Sequence, residues 1–165
     1  MSHKVIVEGG ALRFSAAHFA TFGGDCEPLH GHNYAVRVEV EGALTADAWV
    51  MDFGQLRAMV GALCEELDHR FLLPQDSPHL SLALSDAACE IRFGDRRYVM
   101  PRGDVAPLPI DNSTAERLAE WLALRLADDL RGRGAANLTS VAVTVEEAPG
   151  QSASYVLATE PDAGR

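Results

Sequence analysis

At 165 residues, 47% of them hydrophobic, the chain is long enough to build one core without covalent staples. A net charge of −10 excludes the basic face of a general nucleic-acid binder, yet a local arginine cluster in a cleft remains compatible with an anionic substrate. The cysteines Cys26, Cys64 and Cys89 form no CxxC pair, no apolar run nears the ~20 residues of a transmembrane helix, and Met1–Gly10 holds no signal-peptide apolar stretch; a reduced cytoplasmic protein, off the membrane, is expected.

In chain order, a first strand or hairpin is predicted from Lys4 to His18, broken near Gly9-Gly10, with Phe14, Ala16 and His18 on one parity. A strand follows from Asn33 to Glu41, where Tyr34, Val36, Val38 and Val40 alternate with more polar residues, the period of a half-buried strand. Asp52 is a plausible N-cap for a helix whose apolar positions are Phe53, Leu56, Val60, Leu63, Cys64 and Leu67, fading before Pro74. "CEIRFGDRRYVMP" predicts a hairpin turning at Gly94-Asp95, with Ile91 opposite Tyr98 and Cys89 opposite Met100. A second helix begins at "STAE", where Ser113 and Glu116 have capping-box spacing; Leu118, Leu122 and Leu126 supply its stripe and Gly132 its stop. The last predicted strand, "TSVAVTVEE", puts Val141, Val143 and Val145 on one face. The order of elements predicts an α+β fold with largely antiparallel strands in one domain over 1–160, carrying an added hairpin segment at about 75–111, and a tail over 161–165.

The chemistry-bearing residues cluster in "CEPLHGHNY", Cys26–Tyr34. On an extended backbone His30 and His32 point to one side, as two ligands of a single metal or as a pair of surface histidines. His18, on the parity of Phe14, is a third imidazole; three histidines with one open position make a catalytic rather than a structural zinc arrangement. Cys26 reads either as a free thiol activated by a neighbouring cation or as a buried apolar residue, as Cys64 and Cys89 do, and Glu27 is expected to face solvent. Asp68-His69 is either a paired acid and imidazole or a helix end favoured by the dipole. Glu116 has a bland account as the partner of Ser113 in the capping box. Glu147 ends an apolar parity, so its carboxylate must be paired or serve a ligand, and a guanidine-like edge would suit it.

These pieces resemble the 6-pyruvoyltetrahydropterin synthase and 6-carboxytetrahydropterin synthase family. The resemblance rests on "FSAAH" (14–18), "CEPLHGHNYAVRVEVEG" (26–42), "VMDFGQLR" (50–57), "LDHRFL" (67–72), "STAE" (113–116) and "VTVEEAP" ending at Pro149, in family order and over nearly the whole chain. It implies the tunnelling fold (T-fold), an antiparallel sheet with two helices on one face, whose subunits close a β-barrel as a homohexamer of two trimers. It implies a zinc ion (Zn2+) held by His18, His30 and His32, Cys26 as catalytic thiol, Asp68 and His69 as a proton relay across a subunit interface, and Glu147, with Glu116, at the pterin ring. The Cys-x3-HGH spacing resembles the branch that makes 6-carboxy-5,6,7,8-tetrahydropterin from 7,8-dihydroneopterin triphosphate with loss of acetaldehyde and triphosphate, in the queuosine and 7-deazapurine route. The alternatives are pyruvoyl formation, side-chain cleavage to a hydroxymethylpterin (some relatives use a Glu in this loop in place of the thiol) and a non-catalytic pterin- or zinc-binding module.

Overall fold

The computed structural model describes residues 2–159; the tail expected at 161–165 lies outside them. Its centre is the long strand β5 (His30–Gly42), whose apolar residues Tyr34, Val36, Val38 and Val40 are all buried. The alternate face is polar: Lys4 and Arg37 both bond Glu39, at 2.8 Å each. Two segments run antiparallel to β5 on the same side, β1 (His3–Val7) at Val5↔Val40 and β2 (Arg13–His18) at Phe14↔Tyr34. The expected break at Gly9-Gly10 is therefore a kink in one course along β5, not a hairpin turn; both glycines have positive φ, which a residue with a Cβ adopts at a cost.

After β5 the chain enters helix α1 (Phe53–Leu67), capped by the Asp52 carboxylate accepting from Gln55 N–H. Leu56, Met59, Val60, Leu63, Cys64 and Leu67 are buried, whereas Phe53, expected in the stripe, is exposed at the first turn. Strand β6 (Arg70–Pro74) then returns parallel to β2, so Pro74 ends a strand and not a helix. The hairpin over 75–111 has the predicted register, Ile91↔Tyr98 and Cys89↔Met100, between β8 (Ala88–Phe93) and β9 (Arg96–Pro101). Strand β7 (Ser81–Leu84), which its sequence did not announce, joins them in a separate three-stranded sheet. Strand β10 (Val105–Leu108) pairs parallel with β6, which makes the main sheet mixed.

Helix α2 (Ala115–Gly132) is capped by Thr114, not Ser113: the Thr114 hydroxyl accepts from Arg117 N–H, while Ser113 is fully buried and donates to Phe19 O at 2.9 Å. Glu116 thereby loses its capping-box explanation. Strand β11 (Leu138–Ala148) pairs with β5 and with a further strand, β12 (Gln151–Ala158), across a turn at Gly150. The main sheet runs β10-β6-β2-β5-β11-β12 with β1 also on β5. Helix α1 packs over β1, β2 and β6 and α2 over β11 and β12, and one apolar core lies between sheet and helices. A second, smaller core of Phe19, Cys26, Phe71, Leu73, Cys89, Ile91 and Val105 seats the three-stranded sheet on the end of β2 and β6. Among the described residues no helix is long and apolar enough to cross a membrane.

Candidate active site

Strand pairing assembles the three histidines. His18 lies directly opposite His30, and Ala16 opposite His32, so all three imidazoles leave the sheet on the buried parity of Tyr34. Their ligand nitrogens lie within 4.8 Å of one another. Gly31 between them is obligatory: a Cβ there would stand 2.9 Å from the backbone oxygen of Ala16.

The second partners of the rings fix their tautomers. His18 Nδ1 lies 2.8 Å from Ser113 O and His30 Nδ1 2.8 Å from Pro28 O. Carbonyls only accept, so both Nδ1 atoms donate and each Nε2 of the neutral rings carries a lone pair. Those two Nε2 atoms face each other at 3.2 Å. Two lone pairs at that distance repel unless a cation or a proton lies between them. The Nε2 of His32 is 3.1 Å from Glu147 Oε1, in a geometry that makes no hydrogen bond, and is left buried without a partner among the described residues. Three imidazole nitrogens, two held in the ligating tautomer by backbone carbonyls and the third unsatisfied, fit a metal ion. Burial pushes the His18 imidazole below its ordinary value, which favours the neutral ligating form.

A cleft of about 300 Å3 opens beside the cluster, and His18, Glu27, Glu116 and Glu147 line it. Glu27 does not face solvent as expected. Its Oε2 accepts from Ala20 N–H at 3.0 Å and lies 4.0 Å from His30 Nε2. This placement depends on a small hairpin, β3 (Thr21–Phe22) with β4 (Asp25–Cys26), whose Gly23-Gly24 turn was the only hint in the sequence. Cys26 is turned the other way. It is 2% exposed in the smaller core, its thiol donates to Glu27 O at 3.5 Å, and burial pushes its pKa up while the Arg96 guanidinium pulls it down.

Asp68 and His69 do form a pair, with Nδ1 of His69 2.8 Å from Asp68 Oδ2. The other carboxylate oxygen accepts from Ser15 N–H at 2.7 Å, and that bond, followed by His69, holds Asp68 below the usual carboxylate range. His69 adopts φ 56° at the helix–strand junction and leaves its imidazole exposed. It opens on a different, larger cleft, of about 610 Å3, together with Ser15, Asn33 and Arg70. Within one subunit the pair therefore stands apart from the Glu27–Glu147 cleft.

Three contributors escaped the sequence reasoning. Tyr34 is fully buried, stacked on Phe14 at 4.7 Å, with a hydroxyl that has no partner among the described residues and that burial and the Glu147 and Glu27 carboxylates keep protonated. Ser113 orients His18 through its carbonyl. Asn112 clasps Thr21 by both its amide atoms, at 3.1 and 2.8 Å, and so fixes the start of the small hairpin.

The family model for 6-pyruvoyl tetrahydropterin synthase matches residues 10–157. The chain belongs to this family. A Methanocaldococcus jannaschii family protein, provisionally named 6-carboxy-5,6,7,8-tetrahydropterin synthase, is 37% identical over 145 residues, 87% of this chain and 89% of that protein. A Pyrococcus furiosus protein named dihydroneopterin monophosphate aldolase is 42% identical over 119 residues, 72% of this chain and 73% of its own. The solved structure of Plasmodium vivax 6-pyruvoyltetrahydropterin synthase, a Glu-to-Ala catalytic-residue mutant, superposes with a TM-score of 0.90 at 31% identity, covering 96% of this chain and 99% of that one. The T-fold expected of the sequence, two helices on one face of a curled sheet, is thereby established for the subunit.

Proposed function

We propose that the chain is a zinc-dependent lyase that converts 7,8-dihydroneopterin triphosphate and water into 6-carboxy-5,6,7,8-tetrahydropterin, acetaldehyde and triphosphate. The carrying observation is the cluster of three ligating imidazoles with the Glu147 carboxylate 3.1 Å from His32, at the wall of a cleft that His18, Glu116 and Glu147 line. The name of the Methanocaldococcus jannaschii relative, matched over most of both chains, supports the product.

An all-imidazole donor set suits zinc, which when bound would supply Lewis acidity toward the hydroxyls of the substrate side chain. His18, His30 and His32 would hold it. Glu147 accepts two parallel hydrogen bonds from the guanidine-like edge of the pterin, with Glu116 on the opposite wall. Tyr34 closes the floor of the site and keeps water out beneath the histidines. A base must then take a proton from the side chain. Cys26 fills that role once its thiol turns out of the smaller core, and Glu27 stands beside the histidines already. Asp68–His69 returns a proton to the site of a neighbouring subunit, since in its own subunit it opens elsewhere.

The orientation of Glu27 favours a second reading: cleavage of the side chain to a hydroxymethyldihydropterin, with its two outer carbons leaving as an aldehyde. The identity to the Pyrococcus furiosus aldolase supports it. Incubating the zinc-loaded protein with 7,8-dihydroneopterin triphosphate and weighing the pterin product separates the two. Carboxypterin with acetaldehyde upholds the first reading, a hydroxymethylpterin the second, and a product that keeps all three side-chain carbons sinks both.

A further inference from the structure

We propose that Arg96 is a positioning residue for this reaction: from the tip of the β8–β9 hairpin it clamps the loop that carries both candidate bases, Cys26 and Glu27. The inference rests on the function proposed above. Nη1 of Arg96 donates to Cys26 O at 2.6 Å and to Glu27 O at 3.2 Å, across some 70 residues of sequence. The neighbouring arginines are engaged otherwise, Arg92 and Arg97 both bonding Glu90. Arg96 has no carboxylate within ion-pair distance among the described residues, so its strong donors serve the loop carbonyls.

The loop has few other constraints. Strands β3 and β4 share only two residue pairs, and the turn between them is Gly23-Gly24, both left-handed. Glu27 is tied to Ala20 by its backbone N–H and by its carboxylate, each at 3.0 Å, which fixes one side of the loop. Arg96 fixes the other. Beneath it Tyr98 packs on Phe19 at 5.3 Å between ring centroids, and Cys26 shares the smaller core with Cys89. The same clamp therefore sets the position of both bases, Glu27 beside the histidines and Cys26 at the edge of the smaller core from which its thiol must turn. Proton transfer is sensitive to displacements of less than an ångström, so a loosened loop lowers turnover without altering how the pterin is bound.

The test compares zinc-loaded wild type with Arg96→Ala, Arg96→Lys and Arg97→Ala. It reads kcat and KM on 7,8-dihydroneopterin triphosphate, bound zinc, and the rate at which iodoacetamide labels Cys26 relative to Cys64, mapped by mass. Arg96→Ala should lower kcat about tenfold or more, leave KM within about twofold, and keep its zinc. Its Cys26 should label about tenfold faster while Cys64, in the main core, labels as before. Arg96→Lys, a cation able to reach a carbonyl, should recover part of both effects, and Arg97→Ala should match wild type. Unchanged labelling of Cys26 in Arg96→Ala overturns the proposal, and so does faster labelling with an unchanged kcat. Equal acceleration at Cys64 also overturns it, because the arginine would then only support the fold. A wild type inert on this substrate would defeat the proposed function, while the labelling result would still decide whether Arg96 clamps the loop.

Discussion

Adjacent residues in the loop at 26 and 27 face opposite ways, and under the proposed function this alternation would divide two chemistries between one thiol and one carboxylate. Cys26→Ala should keep zinc and fold and lose acetaldehyde-forming turnover by about 100-fold or more, as expected when a proton-transfer group is removed. Loss of zinc in that variant would make the thiol a ligand and overthrow the mechanism. Glu27→Gln should instead abolish any hydroxymethylpterin while sparing carboxypterin, which product mass resolves. A pH effect follows from Asp68. Its folded-state pKa is depressed, first by Ser15 N–H and then by His69, so its stabilising contribution is complete above the unfolded value of about 3.9 and is lost as pH falls through the folded one. Asp68→Asn should thus destabilise the protein at neutral pH and converge with wild type in acid, as seen by denaturant melts at several pH values. The histidines and Glu147 were legible in the sequence because strand parity places them. Glu27 was not, because its orientation comes from a bond to Ala20 that only the folded hairpin makes.

The elements with strong periodicity, β5, α1, α2 and the β8–β9 hairpin, appear where alternation, caps and turn residues predict them. Strand β12 was missed although Tyr155-Val156-Leu157 favours a strand, because Ser152, Ser154 and the alanines around them break its alternation; pairing along β11 makes all eight residues a strand. The capping slip at α2 has a tertiary cause. Ser113 and Thr114 both offer hydroxyls, but Phe19 O takes that of Ser113, which leaves Thr114 to cap. Thr114→Ala should cost about 1 kcal/mol of stability with zinc affinity unchanged. Ser113→Ala should cost about 1–3 kcal/mol, since the Phe19 carbonyl loses a buried donor, and should also weaken zinc binding because the same segment orients His18. Urea titrations with and without zinc separate the two.

At the scale of the molecule, the subunit is unfinished in two respects. Its relay histidine opens on a cleft other than the one lined by Glu27, Glu116 and Glu147, and among the described residues β12 ends the main sheet as an unpaired eight-residue edge with Val156 exposed. Assembly through such edges would bring a relay from one copy to the cleft of another. Sedimentation of the zinc-loaded protein should give six copies of the chain, and a monomer that remains fully active would refute the shared site.

Gly31 bears on how such a site can change over evolutionary time. Any side chain there meets the backbone of β2, so an altered residue between the two histidines disturbs the strand pairing that also supplies His18. Losing the metal centre by a change at this position damages the sheet as well. The outer loop and the separate β7–β9 sheet take no part in that β2–β5 pairing. Lineages descending from one ancestor would be expected to keep His-Gly-His while trading thiol for carboxylate a few residues upstream, so that new products arise at the rim of an unaltered metal site.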